Sequence, residues 1–352
     1  MKETKVLKIN AENPQKQEIE KAAEILENGG LVAFPTETVY GIAAIITHTG
    51  AVNKLRDLKQ RPPDKKFAIC VYNVNQVEQF SDNISPLGYR LMKRFWPGPL
   101  TLVLSSKSPE KLGFRMPDHK VAKLLLEEIK IPVFAPSANL AGKRDALCCE
   151  DVLEDLGGRI DAVLDAGPAR LKVPSTVCEI EGDNFKILRS GAITQEQIEE
   201  AAKRKKILFV CTGNSCRSVM AEGLMKKMLA GNENITVESA GVVALEGMGA
   251  TAEAIAVMKQ KGVDVSKHRS RRLTEDMIKE ADYILAMEPG HKQFILDFNP
   301  YAASRVFLLR EFTQEKADFL TIPDPIGLDV EFYQEVAKII KDAIERLVTK
   351  LK

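Results

Sequence analysis

Arg217 follows Cys211 by six positions in Cys-Thr-Gly-Asn-Ser-Cys-Arg-Ser at 211–218, a spacing suited to phosphoryl chemistry. An apolar run over 207–210 precedes the loop and helical spacing resumes over 219–229, so the loop joins a buried strand to a helix N-terminus. Successive N–H groups and the positive end of the helix converge there and favour a phosphate dianion. Such a field lowers a thiol pKa from about 8.5 toward neutrality, which predicts that Cys211 is a thiolate. Arg217 is predicted to curl back and bind two phosphoryl oxygens with its planar fork. The chemistry expected is attack of sulfur on phosphorus, a cysteinyl-phosphate, and its release by water. Asp324, beside the stiffening Pro325, is the natural proton donor to the leaving group.

The first half offers a different set of groups, each on a polar loop attached to an apolar strand. Pro-Thr-Glu-Thr-Val-Tyr-Gly at 35–41 ends the run 31–34 and reads as a ligand rim or as a simple turn. Lys-Gln-Arg-Pro-Pro-Asp-Lys-Lys at 59–66 reads as an anion site stiffened by proline, or as a solvated charge run. Trp-Pro-Gly-Pro-Leu-Thr at 96–101, Pro-Ser-Ala-Asn at 136–139, Val-Pro-Ser-Thr-Val at 173–177 and Leu-Arg-Ser-Gly at 188–191 continue the series. Small residues in such loops let a ligand approach the backbone.

The elements that must position these groups follow from periodicity. Helices are predicted at 17–28, 50–58, 251–261 and 331–351, and strands at 67–71, 131–135, 235–238, 283–287 and 305–309. Strands alternating with helices in the second half imply a parallel sheet covered on both faces. Residues 194–206 are polar, lack Gly and Pro, and read as a charged helical connector. The boundaries expected are a first domain over 1–195, a linker over 196–205 and a second domain over 206–352.

In their order, the first-half motifs resemble the YrdC-like threonylcarbamoyl-AMP synthase family, an α/β fold with a twisted mixed sheet. The resemblance implies condensation of L-threonine, bicarbonate and ATP into threonylcarbamoyl-adenylate and pyrophosphate, toward threonylcarbamoyladenosine in tRNA. It implies Lys59, Arg61, Lys65, Ser137, Asn139 and Arg189 around ATP, and Thr38, Arg115 and Ser175 around threonine. ATP is then a substrate, Mg²⁺ is expected with it, and tRNA or its threonylcarbamoyl transfer machinery is an expected partner. Cys70 departs from the longer members, which place a ligand-contacting His there, and the segment 107–112 is short.

Residues 206–352 resemble the low-molecular-weight protein phosphatase family, Rossmann-like, through the 211–218 loop, Met-Ala-Glu at 220–222, Glu-Ser-Ala-Gly at 238–241, His291-Lys292 and Asp324-Pro325. The resemblance implies Cys211 as nucleophile, Arg217 as clamp and Asp324 as general acid, with no cofactor and no metal. Thr212, Gly213, Asn214, Ser215, Cys216 and Ser218 complete the phosphate loop, Asn214 and Ser218 ordering it and bonding the sulfur. Phosphoarginine-directed members resemble this chain in having Thr after the nucleophile, so phosphorylated proteins bearing phosphoarginine are the expected substrates. The alternative reading is a phosphotyrosine phosphatase fused to a noncatalytic RNA-binding or regulatory module. Thioredoxin-coupled arsenate reductases share the loop but need two further cysteines downstream, and none follows Cys216. Cys216 reads either as a partner for a reversible disulfide with Cys211 or as a small buried loop residue.

A formal net charge of +1 argues against a globally basic nucleic-acid binder. The first residues lack an apolar secretory core, no stretch approaches the roughly 20 apolar residues of a membrane span, and six cysteines show no disulfide framework. A cytoplasmic protein of two domains is expected.

Overall fold

The run at 31–34 is apolar at every position because the strand it forms is buried on both faces. In this computed structural model, which describes residues 3–62, 66–313 and 320–351, the strand is Val32–Phe34. Val32 and Phe34 pack against the helices Lys16–Glu27 and Lys120–Ile129, while Ala33 faces Thr49–Leu58 and Cys149–Leu156. The chain divides into two compact units, Met1–Ala201 and Ala202–Lys352.

The strands of the first unit are β1 (Lys5–Lys8), β2 (Val32–Phe34), β3 (Gly41–Ile45), β4 (Ile69–Cys70) and β5 (Leu100–Ser105). They continue with β6 (Lys111–Arg115), β7 (Val133–Phe134), β8 (Ala162–Asp165), β9 (Thr176–Glu181) and β10 (Asn184–Arg189). Among the described residues they form one mixed sheet, ordered β1-β8-β2-β3-β7-β4-β6-β5-β9-β10. The strand expected over 67–71 shortens to β4, parallel to β6 with Cys70 opposite Arg115. Gly191 closes the far end: a Cβ there would stand 2.3 Å from the Pro174 carbonyl oxygen, so only glycine lets the two polar loops meet.

The second unit has β11 (Lys205–Cys211), β12 (Ile235–Gly241), β13 (Tyr283–Ala286) and β14 (Val306–Leu308), all parallel and ordered β12-β11-β13-β14. Period-2 alternation sorts β11 between two cores. Ile207 and Phe209 face the helices Arg217–Met228, Ala252–Gln260 and Val330–Leu351, and Leu208 and Val210 face Glu275–Glu280 and Pro289–Phe298. Each large aliphatic side chain so buried contributes about 1.5–3 kcal/mol. Thr251 caps one of these helices by accepting from the Ala254 N–H, worth about 1 kcal/mol.

The polar stretch over 194–206 contains the helix Gln195–Lys203, with Ile198 and Ala201 buried. Among the described residues no helix is long and apolar enough to cross a membrane.

Candidate active sites

In the second unit the site stands at the C-terminal end of β11. Cys211 is its last residue, Arg217 is the first of the following helix, and Cys216 at the N-cap makes no side-chain capping bond. The side chain of that residue thus caps none of the first N–H groups of the helix, and the Ser218 N–H is directed at the Cys211 sulfur. The loop closes tightly because Asn214 adopts φ 54°, a left-handed conformation that Asn tolerates better than most side chains. Opposite Cys211 in the parallel register is Gly241, where a Cβ would meet the Thr212 oxygen at 2.6 Å and the Asn214 nitrogen at 2.8 Å.

A hydrogen-bond chain orients the sulfur. The Arg271 N–H donates to Asn214 Oδ1 at 2.9 Å, which fixes the amide so that Nδ2 donates to Ser218 Oγ at 3.0 Å and to Ser239 Oγ at 2.8 Å. With a lone pair of Ser218 occupied, its hydroxyl hydrogen is free to donate to Cys211 Sγ, 2.9 Å away. The Asn214 N–H donates to the same sulfur at 3.3 Å. His268 braces the loop from outside, Nε2 lying 2.8 Å from the Asn214 carbonyl oxygen. Ser215 and Cys216 lie on the far side, Cys216 Sγ being 3.2 Å from the Tyr333 hydroxyl, and both Cys211 and Cys216 are unpaired.

Arg217, 2% exposed, makes four polar contacts. Nη1 donates to Glu288 Oε2 at 2.9 Å and to the Ile322 carbonyl at 3.1 Å; Nη2 donates to Asp324 Oδ2 at 2.5 Å and to Thr212 Oγ1 at 3.2 Å. The structure thus brings together Cys211, Thr212, Asn214, Arg217, Ser218 and Asp324, with Gly213 and Ser215 in the loop between them. Burial pushes the Cys211 thiol up, against the pull of the Ser218 hydroxyl, the loop N–H groups and Arg217. The guanidinium that should draw the proton off is already shared between two carboxylates. Glu288 was invisible to motif reasoning, because an acid before Pro289 reads as ordinary helix-start chemistry.

The first unit holds a cavity of about 960 Å³ whose lining includes Lys59, Arg61, Arg115, Ser137, Asn139, Ser175 and Arg189. Lys59 Nζ donates to the carbonyls of Ser137 (3.0 Å) and Asn139 (2.6 Å) and to Asn139 Oδ1 (3.2 Å). Burial pushes its pKa down to about 8, Asp145 opposing and Arg61 reinforcing. Asn139 spends its amide inside the loop, accepting from Ser137 Oγ at 2.6 Å and donating to the carbonyls of Leu140 and Lys143. Arg189 donates to the Ser175 carbonyl and Oγ, and Ser175 Oγ meets Thr101 Oγ1 at 2.9 Å. Arg61 lies over the Phe67 ring with its Cζ 4.9 Å from the centroid. Lys65 lies outside the described residues.

Arg115 Nη2 donates to Glu37 Oε1 at 2.8 Å and to Thr38 Oγ1 at 2.7 Å, and its buried Nε has no partner among the described residues. Thr38 is fully buried behind this contact. Glu37, 1% exposed, also accepts from the Asp118 N–H through Oε2. It is the carboxylate of the Thr-Glu-Thr rim, whose partner only the sheet register reveals. Cys70, beside Arg115, is held as a neutral thiol, its pKa pushed up to about 11 by burial.

Comparison with known proteins matches each unit separately. The Sua5/YciO/YrdC family model, described as "Telomere recombination", matches residues 24–191, and that of "Low molecular weight phosphotyrosine protein phosphatase" matches 206–352. A threonylcarbamoyl-AMP synthase of Bacillus subtilis is 42% identical over 201 residues, covering 54% of this chain and 57% of that protein; the chain thus spans little more than half of this relative's length. A threonylcarbamoyl-AMP synthase of Pyrococcus abyssi is 31% identical over 332 residues, 91% of this chain and 89% of that protein. A solved structure of Sua5 from P. abyssi has a TM-score of 0.54 at 26% identity, covering 87% of this chain and 98% of that one. A protein-arginine-phosphatase of Geobacillus stearothermophilus is 42% identical over 147 residues, 42% of this chain and 95% of that protein.

Proposed function

Because the chain belongs to the Sua5/YrdC family over its first unit and to the low-molecular-weight phosphatase family over its second, we propose that it is an enzyme of two activities. The first unit condenses L-threonine, bicarbonate and ATP into threonylcarbamoyl-AMP, releasing pyrophosphate and water. The second removes phosphate from protein phosphoarginine.

The convergence of Lys59, Arg61, Arg115 and Arg189 on one cavity supports the first activity. Lys59, Arg61 and Lys65 neutralise the polyphosphate, and the unpartnered Nε of Arg115 offers its N–H to the threonine carboxylate. Thr38 and Ser175 shape the amino-acid end and Arg189 the nucleotide end, while Ser137 and Asn139 hold the loop that grips Lys59. Catalysis rests on positioning and on charges aimed at the departing pyrophosphate. Among the described residues Glu110 and Asp145 are the carboxylates lining the cavity, and no three metal-ligating side chains cluster. A Mg²⁺ ion would therefore be held by the nucleotide's phosphates and water, as is usual for this cation. The adenylate passes to a transfer machinery acting on tRNA, and ATP supply with unpaired thiols suits the cytoplasm. Pyrophosphate release that requires both threonine and bicarbonate tests this activity; a folded sample releasing none removes the assignment.

The second activity is carried by one observation: a thiol and a guanidinium on one strand–loop–helix meet, at the strand end, a carboxyl group from a distant segment. Arg217 leaves its carboxylates to clamp the phosphoryl oxygens, the Asp324 carboxylate so released takes up the proton that Cys211 sheds as its sulfur attacks phosphorus, and Asp324 passes that proton to the leaving nitrogen as the P–N bond breaks. Water then hydrolyses the cysteinyl-phosphate with Asp324 as base. Phosphoarginine is favoured over phosphotyrosine by Thr212, whose hydroxyl borders the clamp. Peptides of one sequence carrying either phosphorylated residue test it: phosphoarginine turns over faster, and Thr212→Ile reverses the order. An unchanged order would remove Thr212 as the determinant.

A further inference from the structure

Against Thr212, the residue after the thiol, lies a buried histidine that no step above employs. His291, in the helix Pro289–Phe298, is 3% exposed, and its Nδ1 is buried without a partner among the described residues. Its Nε2 stands 2.9 Å from Thr212 Oγ1 and 3.3 Å from Glu288 Oε1. Burial, reinforced by Arg217 and opposed by Glu288 and Asp324, holds the ring pKa below its ordinary value, so the imidazole is neutral near pH 7. Since a carboxylate can only accept, the tautomer with the proton on Nε2 suits both neighbours, its one N–H shared between Thr212 Oγ1 and the more distant Glu288 Oε1. Thr212 Oγ1 then accepts from both His291 and Arg217, and both its lone pairs are taken.

Threonine bears a hydroxyl and a methyl group on one carbon, so anchoring the hydroxyl fixes χ1 and with it the place of the methyl. We propose that His291 is a positioning residue which, by anchoring the Thr212 hydroxyl, sets the face that residue 212 turns toward the group carried by phosphorus, and thereby the preference for phosphoarginine over phosphotyrosine. The inference rests on the phosphatase reading above. Without His291 only Arg217, for which the phosphoryl oxygens compete, holds the hydroxyl, and the methyl can take the hydroxyl's place. An apolar face suits a phenyl ring and not a hydrated guanidino group.

The test uses the full-length chain with phosphoarginine and phosphotyrosine peptides of one sequence, comparing kcat/KM for each. His291→Leu lowers the arginine-to-tyrosine ratio about tenfold, the order of one hydrogen bond lost in a buried site. His291→Gln, whose amide reaches the position of Nε2, restores most of the ratio; His291→Asn, whose amide sits where Nδ1 does, leaves it low. In a Thr212→Val background none of the three moves the ratio by more than about twofold, because coupling vanishes once the shared partner is gone. Equal losses on both substrates, or the same shift in the Thr212→Val background, would overturn the inference. Should His291→Leu fail to fold, the contrast between Gln and Asn decides. An unaltered protein that turns over neither peptide defeats the phosphatase reading itself; one that turns over both, with a ratio indifferent to His291, defeats only the inference.

Discussion

Asp324 Oδ2 lies 2.5 Å from Arg217 Nη2, so the group proposed to protonate the leaving atom sits on the group proposed to hold the phosphate. The pair keeps both from acting until a phosphoryl dianion competes for the guanidinium. That exchange couples clamping to release of the acid.

Removing the acid should therefore separate binding from turnover. Asp324→Ala lowers kcat by roughly a hundredfold or more, the usual share of general acid catalysis. It also tightens inhibition by inorganic phosphate several-fold, because Arg217 loses a competitor. The gain is modest, since Asp324 is partly exposed and its pairing screened. Phosphate inhibition unchanged or weakened would contradict the exchange.

In the first unit, Lys59 gives a pH signature. Its pKa is depressed to about 8 in the folded chain, so the cation that receives the polyphosphate is present below that value and lost above it. The expected profile of kcat/KM for ATP falls as pH rises through about 8. Lys59→Met lowers the plateau and flattens the fall; an unchanged slope in that variant would assign the ionisation elsewhere.

Glu37 is the support of Arg115. Deleting one partner of a buried ion pair costs about 3–5 kcal/mol, and Gln, which keeps an acceptor, costs less. Glu37→Gln should leave the protein folded, raise KM for threonine roughly tenfold through a misplaced guanidinium, and change KM for ATP little. A parallel rise in both constants would mean that Glu37 supports the whole cavity.

Legibility in the sequence followed locality. The phosphate loop is one contiguous strand–loop–helix, so the type and spacing of Cys211, Asn214, Arg217 and Ser218 sufficed to place them. Glu288 and His291 reach the same point from a helix after β13, and only register and packing reveal that. In the first unit β3 went unread because Gly41–Ile45 is buried on both faces and shows no alternation. Asn139 stands where its motif puts it, yet its amide is consumed by the loop that holds Lys59. Motifs located the walls of the cavity; hydrogen bonds decided which wall residues have groups left to offer.

The covalent step is the centre of the account and can be read directly. The protein is quenched with acid during turnover of a phosphoarginine peptide, digested, and the peptide containing Cys211 is weighed. The account predicts one added phosphoryl group on Cys211, and no turnover by Cys211→Ala. A quenched enzyme that never carries phosphate on that peptide, together with full activity in Cys211→Ala, would contradict it.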